Sequence, residues 1–307
     1  MRRSIHHNHV TLRHQQHSTG REPTVSGHTE SGLGDNTTHA RPVNSDMGVA
    51  VIAVWNNRGR EYSTCRSCWS AMEDYARLLS SRTALRTSVI PLAQGYPYPV
   101  ATRIQELSTQ TAAAFLIGLD ATDSAAVQSI VAAHGGRLVV SETDVLTAAA
   151  AAAAVTALRG KGIPPKHGRL AILGADRTPR LGAVLLECGA GTVTSPTGHH
   201  FEGPEIRSLM VDHDIVVNLT GQESMWMVPA RTVSIPTDPF ALGALAVPGL
   251  LSALCGHGTT HVGIEILAAA ACALALITPV DRTLPEIADH RLVHAVAQHV
   301  GRVVASA

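Results

Sequence analysis

The stretch Arg169–Gly182 (RLAILGADRTPRLG) carries residue types suited to holding a dinucleotide pyrophosphate, but it lacks two of the glycines on which such sites depend. The apolar run Leu170–Leu173 is followed at once by Gly174, then by a helix-like segment (Leu181–Cys188) and a second strand-like run (Gly191–Thr194). Strand, turn, helix, strand is the order of a dinucleotide-binding unit. Its G-x-G-x-x-G turn lets backbone amides at a helix N-terminus approach the phosphates. Here the second and third glycine positions read Asp176 and Pro179, a negative charge and a rigid ring where the phosphates would lie. The acidic residue that would hold the ribose hydroxyls at the end of the second strand is replaced by Ser195 and Pro196. Gly174, Ala175 and Asp176 are the candidate cofactor contacts, for NAD or NADP, on a weakened scaffold.

Other constellations offer less. Cys65-Arg-Ser-Cys68 is half a zinc site or a redox pair, complemented only by the distant Cys255-Gly-His257, and reads as ordinary thiols. His199, His200, Glu202 and Glu205 form a polar cluster that reads as a solvated loop. Asp212, His213 and Asp214 read as solvent-facing charges opening a strand. His290 and His294 share a helical face only if the last helix already includes His290, and they read as a polar stripe. His6, His7 and His9 belong to a tail. No G-x-S-x-G elbow or G-x-x-x-x-G-K-[ST] loop occurs, which removes the hydrolase and nucleoside triphosphatase readings.

The elements that would position these residues alternate. Residues 1–46 hold seven of the 17 histidines, lack apolar periodicity and read as a disordered or loosely attached arm. From Met47 the pattern turns globular: Val49–Val54 apolar, Trp69–Leu79 helical, Thr83–Pro91 extended, Val100–Leu107 helical, and Phe115–Leu119 a buried strand. Asp123 reads as the N-cap of a helix over Ser124–Ala133, and Arg137–Val140 as a strand. Asp144 or Thr147 opens an alanine-rich helix reaching Arg159. Val211–Leu219 and Thr232–Ile235 read as strands; Ala241–Leu254, Ile264–Leu276 and Arg291–Val304 read as helices. This alternation predicts an α/β chain with parallel sheets. The expected division is an arm (1–46), an α/β substrate-type domain (47–146), and a Rossmann-type doubly wound domain with C-terminal helices (147–307).

Net charge is zero and aromatics make up 3%, so there is no electrostatic footprint for nucleic acid, and the core is expected to be Val, Leu, Ile and Ala. Five cysteines argue against a disulfide framework. The apolar runs Ala148–Leu158 and Ile264–Val280 read as buried helices, not membrane spans. With no signal-peptide pattern before residue 46, the expectation is a cytoplasmic protein.

The landmarks, taken in order, resemble a malic enzyme of the short bacterial type. Met47-Gly-Val-Ala50 is similar to Y-T-P-G-V-A, Ser80–Ala84 to S-D-G-T-A, and Tyr98-Pro-Val100 to the L-P-V opening the helix of the catalytic lysine. Phe115–Asp123 is similar to F-P-I-x-L-D-T-x-D and His134-Gly-Gly136 to F-G-G. Ala246–Gly249 is similar to F-P-G, and His290–Ala297 to D-P-R-V-x-x-A-V-A. The resemblance spans residues 45–306 and implies a substrate-type domain, an NAD(P)-binding domain, a divalent metal, and a tyrosine and lysine for proton transfer.

The implied functional positions are occupied by other residues. The tyrosine position falls at Ser45, and the lysine position at Ile104 or, with a one-residue shift, Arg103. Neither of the latter shuttles a proton near neutral pH. Most of the metal-binding H-D-D-Q-H-G region is missing, leaving Glu142 and Asp144 as candidate ligands for Mg²⁺ or Mn²⁺, too few without water or substrate. Two further asparagine positions read Leu242 and Gly243. The expectation is a malic-enzyme-like protein on an NAD(P)-binding scaffold, catalytically degenerate, with a binding or assembly role as a homo-oligomer or as partner of an active relative. The alternative is an active NAD(P)-dependent oxidoreductase on malate or a related 2-hydroxy acid with displaced groups. A folate-type dehydrogenase spacing over Gly160–Thr194 is a third option.

Overall fold

A computed structural model describes residues 11–13, 47–55, 67–93, 95–196, 203–221, 225, 227–235 and 238–306. It forms two sheets. The strands are β1 (Thr11–Arg13), β2 (Gly48–Val54), β3 (Arg86–Leu92), β4 (Thr111–Ile117), β5 (Leu138–Ser141), β6 (Arg169–Leu173), β7 (Thr192–Thr194), β8 (Ile215–Asn218) and β9 (Thr232–Ser234). The α-helices are α1 (Cys68–Arg82), α2 (Pro97–Gln105), α3 (Ala121–Ala133), α4 (Glu142–Gly160), α5 (Leu181–Glu187), α6 (Gly203–Asp212), α7 (Pro239–His257), α8 (Ile264–Ile277) and α9 (Arg291–Ser306).

The first sheet runs β3-β2-β4-β5 and is wholly parallel; the second runs β1-β7-β6-β8-β9 and is parallel apart from β1. The expected α/β architecture with a Rossmann-type second sheet is what the chain adopts. Most of the arm expected over 1–46 lies outside the described residues, but Thr11–Arg13 joins the second sheet as an antiparallel edge strand on β7, which that reading did not foresee.

Strand β2 shows why these sheets are buried on both faces. Val49, Val51 and Ala53 pack with α1 residues such as Tyr75 and Leu79, while Ala50, Ile52 and Val54 pack with Val100 and Ile104 of α2 and Val127 of α3. A strand alternates its side chains between faces, so both sets are apolar only where helices cover both sides. In the second sheet Ala171 and Leu173 meet Ile206, Leu209 and Met210 of α6, and Leu170 and Ile172 face the other way into the shared core.

That shared core is centred on α4. Residues Ala148–Ala154 are all buried, because a methyl side chain lets neighbouring elements approach closely on every side. Helix α4 packs against α5, α7 and α8 and against strands of both sheets, and residue 146 lies within its course. Helix α7, 19 residues long, is the described helix apolar and long enough to cross a membrane. It is buried against α1, α4 and α9 as a core helix. Gly249 allows α9 in, since a Cβ there would stand 2.6 Å from Val296 Cβ.

Several local expectations are corrected. Helix α3 starts at Ala121 and is capped by Asp120, whose carboxylate accepts from the Asp123 N–H at 2.8 Å; Asp123 is inside the helix. Helix α4 is capped by Ser141, not Asp144 or Thr147; Ser141 Oγ accepts from the Asp144 amide while Asp144 accepts from the Ser141 amide, a capping box. The strand expected from Val211 begins at Ile215, because Val211 and Asp212 continue the helix that presents Ile206, Leu209 and Met210 inward. Glu205 stands on that helix rather than on a loop. Helix α8 ends at Ile277, before Val280.

Candidate functional site

The candidate site lies where the carboxyl end of β5 meets the turn after β6. Strand β5 delivers Ser141 and, at the first turn of α4, Glu142 and Asp144, whose residues are only 2% and 3% exposed. Two carboxylates at a helix N-terminus suit the helix dipole, but burial this deep demands bonded partners.

Asp144 has them on both oxygens. Its Oδ2 accepts from Gln128 Nε2 at 2.7 Å, from the Ser141 amide at 2.9 Å and from Ser141 Oγ at 2.9 Å. Its Oδ1 accepts from Arg180 Nη1 at 2.8 Å. The other arm of Arg180, Nη2, donates to the Val262 carbonyl, so one guanidinium ties α4 to the turn before α5 and to the α7–α8 connection. Glu142 Oε1 lies 3.5 Å from Tyr75 Oη, which also donates to the Pro239 carbonyl at 3.2 Å. The Tyr75 ring packs edge-on against Phe115 and Phe240, at 4.9 and 4.8 Å between centroids. A Cβ at Gly243 would come within 2.1 Å of Tyr75 Oη, so α7 makes room for the phenol where the resemblance implied an asparagine.

The turn after β6 keeps the path of a dinucleotide-binding unit. Gly174 has φ +74°, a left-handed conformation that glycine takes without strain. A Cβ there would stand 3.2 Å from Thr220 Cγ2, which narrows the crevice between β6 and β8, the point where the strand order reverses and α/β sheets bind ligands. Thr220 is itself held down, its amide and hydroxyl donating to Asn218 Oδ1 at 3.1 and 2.7 Å. Residues 175–177 form a 3₁₀ turn, and the amides of Arg177, Thr178 and Leu181 donate to carbonyls within the turn at 3.1, 3.1 and 2.9 Å. Those amides are not aimed at a ligand. Asp176 is exposed on this turn and Ala175 half-buried. Helix α5 is seven residues long and begins behind Arg180, which makes no N-cap side-chain bond.

The donor set does not fit a divalent metal. The oxygens of Asp144 are engaged by four protein donors, and one is a guanidinium carrying the charge a cation would bring. Among the described residues no group of three or more His, Cys, Asp or Glu is placed to hold a metal ion.

The remaining candidates are dispersed. Ile104 is fully buried on the α2–α3 face of the first sheet, whereas Arg103 is exposed and pairs with Glu106 at 3.3 Å; neither enters the Asp144 cluster. Ser45, Cys65, His199, His200, Glu202 and the N-terminal His6, His7 and His9 lie outside the described residues. Asp212, His213 and Asp214 form no relay and do not open the strand together. Asp212 accepts from Ser208, His213 donates to the Leu209 carbonyl, and Asp214 accepts from the Arg169 amide at 2.8 Å. Burial opposes the charge on Asp214, but the Arg169 amide and guanidinium, with Lys161, hold its carboxyl below the usual range. His290 precedes α9 and is exposed, so it shares no helical face with His294.

Sequence reasoning missed Arg180, Tyr75 and Gln128. Signals for two of them existed. A cation at a helix N-terminus opposes the dipole and asks for an anionic partner. A tyrosine on the buried stripe Ala71–Met72–Tyr75–Leu79 needs an acceptor for its hydroxyl. Gln128 carried no such signal.

No protein-family profile matches the chain, and no curated protein matches it in sequence. Solved structures do match its fold. The NAD-dependent malic enzyme of Thermotoga maritima superposes with a TM-score of 0.66 at 14% identity, over 84% of this chain and 85% of that one. The malic enzyme of Entamoeba histolytica gives 0.67 at 13% identity, over 86% and 70%. That of Pyrococcus horikoshii gives 0.67 at 12% identity, over 85% and 77%.

Proposed function

We propose that this chain, which has a malic-enzyme-like fold, is a catalytically degenerate member of that fold class, retaining a binding or assembly role as a homo-oligomer or as partner of an active relative. One observation carries this reading: Asp144, the better placed of the two candidate metal ligands, is closed off by Arg180, Gln128 and Ser141. An internal guanidinium supplies the positive charge, cannot be deprotonated and offers no open coordination position. The tyrosine and lysine positions implied by the resemblance add no proton carrier. Ile104 is buried on the other face of the first sheet, and Arg103 faces solvent beside Glu106.

The test is cofactor binding. Calorimetry and nicotinamide fluorescence with NAD(H) and NADP(H), with and without Mg²⁺ or Mn²⁺ and malate, should give no saturable binding up to millimolar cofactor. Micromolar binding strengthened by metal and malate would overturn the reading.

A second reading, an active NAD(P)-dependent oxidoreductase on malate or a related 2-hydroxy acid, is favoured by one detail. Thr178, in the turn after β6, is 3% exposed and its Oγ1 has no partner among the described residues. A buried hydroxyl left unbonded costs about 1–3 kcal/mol, which a bound polar group would recover. Cofactor binding that is weakened by Thr178→Val would support that reading.

A further inference from the structure

Two cysteines that the cleft does not use stand together across α5 and α8. Cys188 follows the last residue of α5, and its Sγ lies 3.8 Å from the carbonyl oxygen of Ala268 in α8. Cys272 is one helical turn beyond Ala268 on the same face, which places the two thiols side by side. Both are half-buried, whereas Cys68 and Cys255, each 4% exposed, are sealed in the core.

We propose that Cys188 and Cys272 form a reversible disulfide that staples α5 to α8, with a low-molecular-weight disulfide such as oxidised glutathione as the oxidant. The thiolate of Cys272 attacks one sulfur of the oxidant, forming a mixed disulfide and expelling one small thiolate. Cys188 then attacks the Cys272 sulfur and expels the second. The two protons lost by the cysteines go to the released thiolates: two protein thiols and one small disulfide become one protein disulfide and two small thiols. The neighbouring Cys188 thiol holds Cys272 below its ordinary value, against burial and the charge of Glu187, which favours Cys272 as the attacking sulfur. The staple closes a long loop of chain that includes the turn-bearing crevice partner Thr220 and all of α6 and α7. It fixes the helix that begins behind Arg180.

The experiment uses the full chain, folded and reduced, exposed to oxidised glutathione and then alkylated. The expected result is loss of two of the five thiols, a Cys188–Cys272 linkage by mass spectrometry of the unreduced digest, and full reversal by dithiothreitol. Thermal melting should rise on the order of 5 °C on oxidation. Cys188→Ser should trap glutathione on Cys272 and abolish the rise. Cys188 and Cys272 remaining free in the folded wild-type chain, or thiols lost elsewhere, would overturn the proposal.

Discussion

The two sheets share one winding and differ in what stands at their carboxyl ends. In each, the second strand flanks the first on one side and the third and fourth extend the sheet on the other: β3-β2-β4-β5 and β7-β6-β8-β9. The first sheet has three strands of seven residues, while the second has strands of three to five. Carboxylates gather at the ends of the first, at Asp120, Glu142 and Asp144. The ends of the second carry Gly174, Ser195, Asn218 and Ser234. Among the described residues, the charge that the second contributes to the Asp144 cluster is Arg180, which comes from the turn and pairs with Asp144. The winding is set by apolar alternation and tolerates such change; the chemistry depends on a few terminal side chains and does not.

That contrast can be broken in four ways. Phe115→Ala, at the centre of the first sheet and in contact with Tyr75, should cost about 3–5 kcal/mol in urea unfolding. The smaller truncation Val193→Ala in the short β7 should cost less, and an equal loss would abolish the distinction between a long and a short sheet.

Arg180→Met leaves Asp144 buried without a counter-charge, held by Gln128 and Ser141 alone. Removing one partner of a buried pair costs about 3–5 kcal/mol, and because Arg180 is 31% exposed about 2–3 kcal/mol is expected. The same denaturation experiment on Arg282→Met, whose partner Glu286 is exposed, should show less than about 1 kcal/mol. Similar values for the two would mean that the Arg180 contact does not bridge the sheets.

Ser141→Ala removes the cap of α4 at about 1 kcal/mol. Asp289, held near 2 by bonds from Arg291, stabilises the folded chain wherever it is ionised there and would be ionised less readily when unfolded. Its contribution is present above the ordinary carboxylate value and lost as pH falls from about 4 toward 2. For so open a group, an Asp289→Asn chain should differ from wild type by well under about 1 kcal/mol, and only above that window.

The alternation of elements was legible because it rests on local periodicity: β2, β6 and α4 fall where apolar runs and flanking glycines place them, while β4, expected over Phe115–Leu119, runs from Thr111 to Ile117. Boundaries were less so. Asp120 and Asp123, like Ser141 and Asp144, are equally good capping residues by type, and only the backbone conformation chooses between them. The strand expected from Val211 failed because Val211 and Asp212 can extend either a helix or a strand, and the i, i+3, i+4 packing of Ile206, Leu209 and Met210 decided it. In the site, the missing glycines were readable in Asp176 and Pro179. The Arg180–Asp144 bond was not, since it joins positions 36 residues apart through the packing of α4 on α5.

The alanine run of α4 has a consequence for how the chain comes apart. Each sheet supplies one wall of the same apolar interior, and residues 148–154 are the filling between them. Neither half can lose its structure without exposing the other's wall to water. Heating should therefore produce one sharp transition with matching calorimetric and van't Hoff enthalpies, and a chain severed at residue 146 should yield two pieces that fold only when mixed.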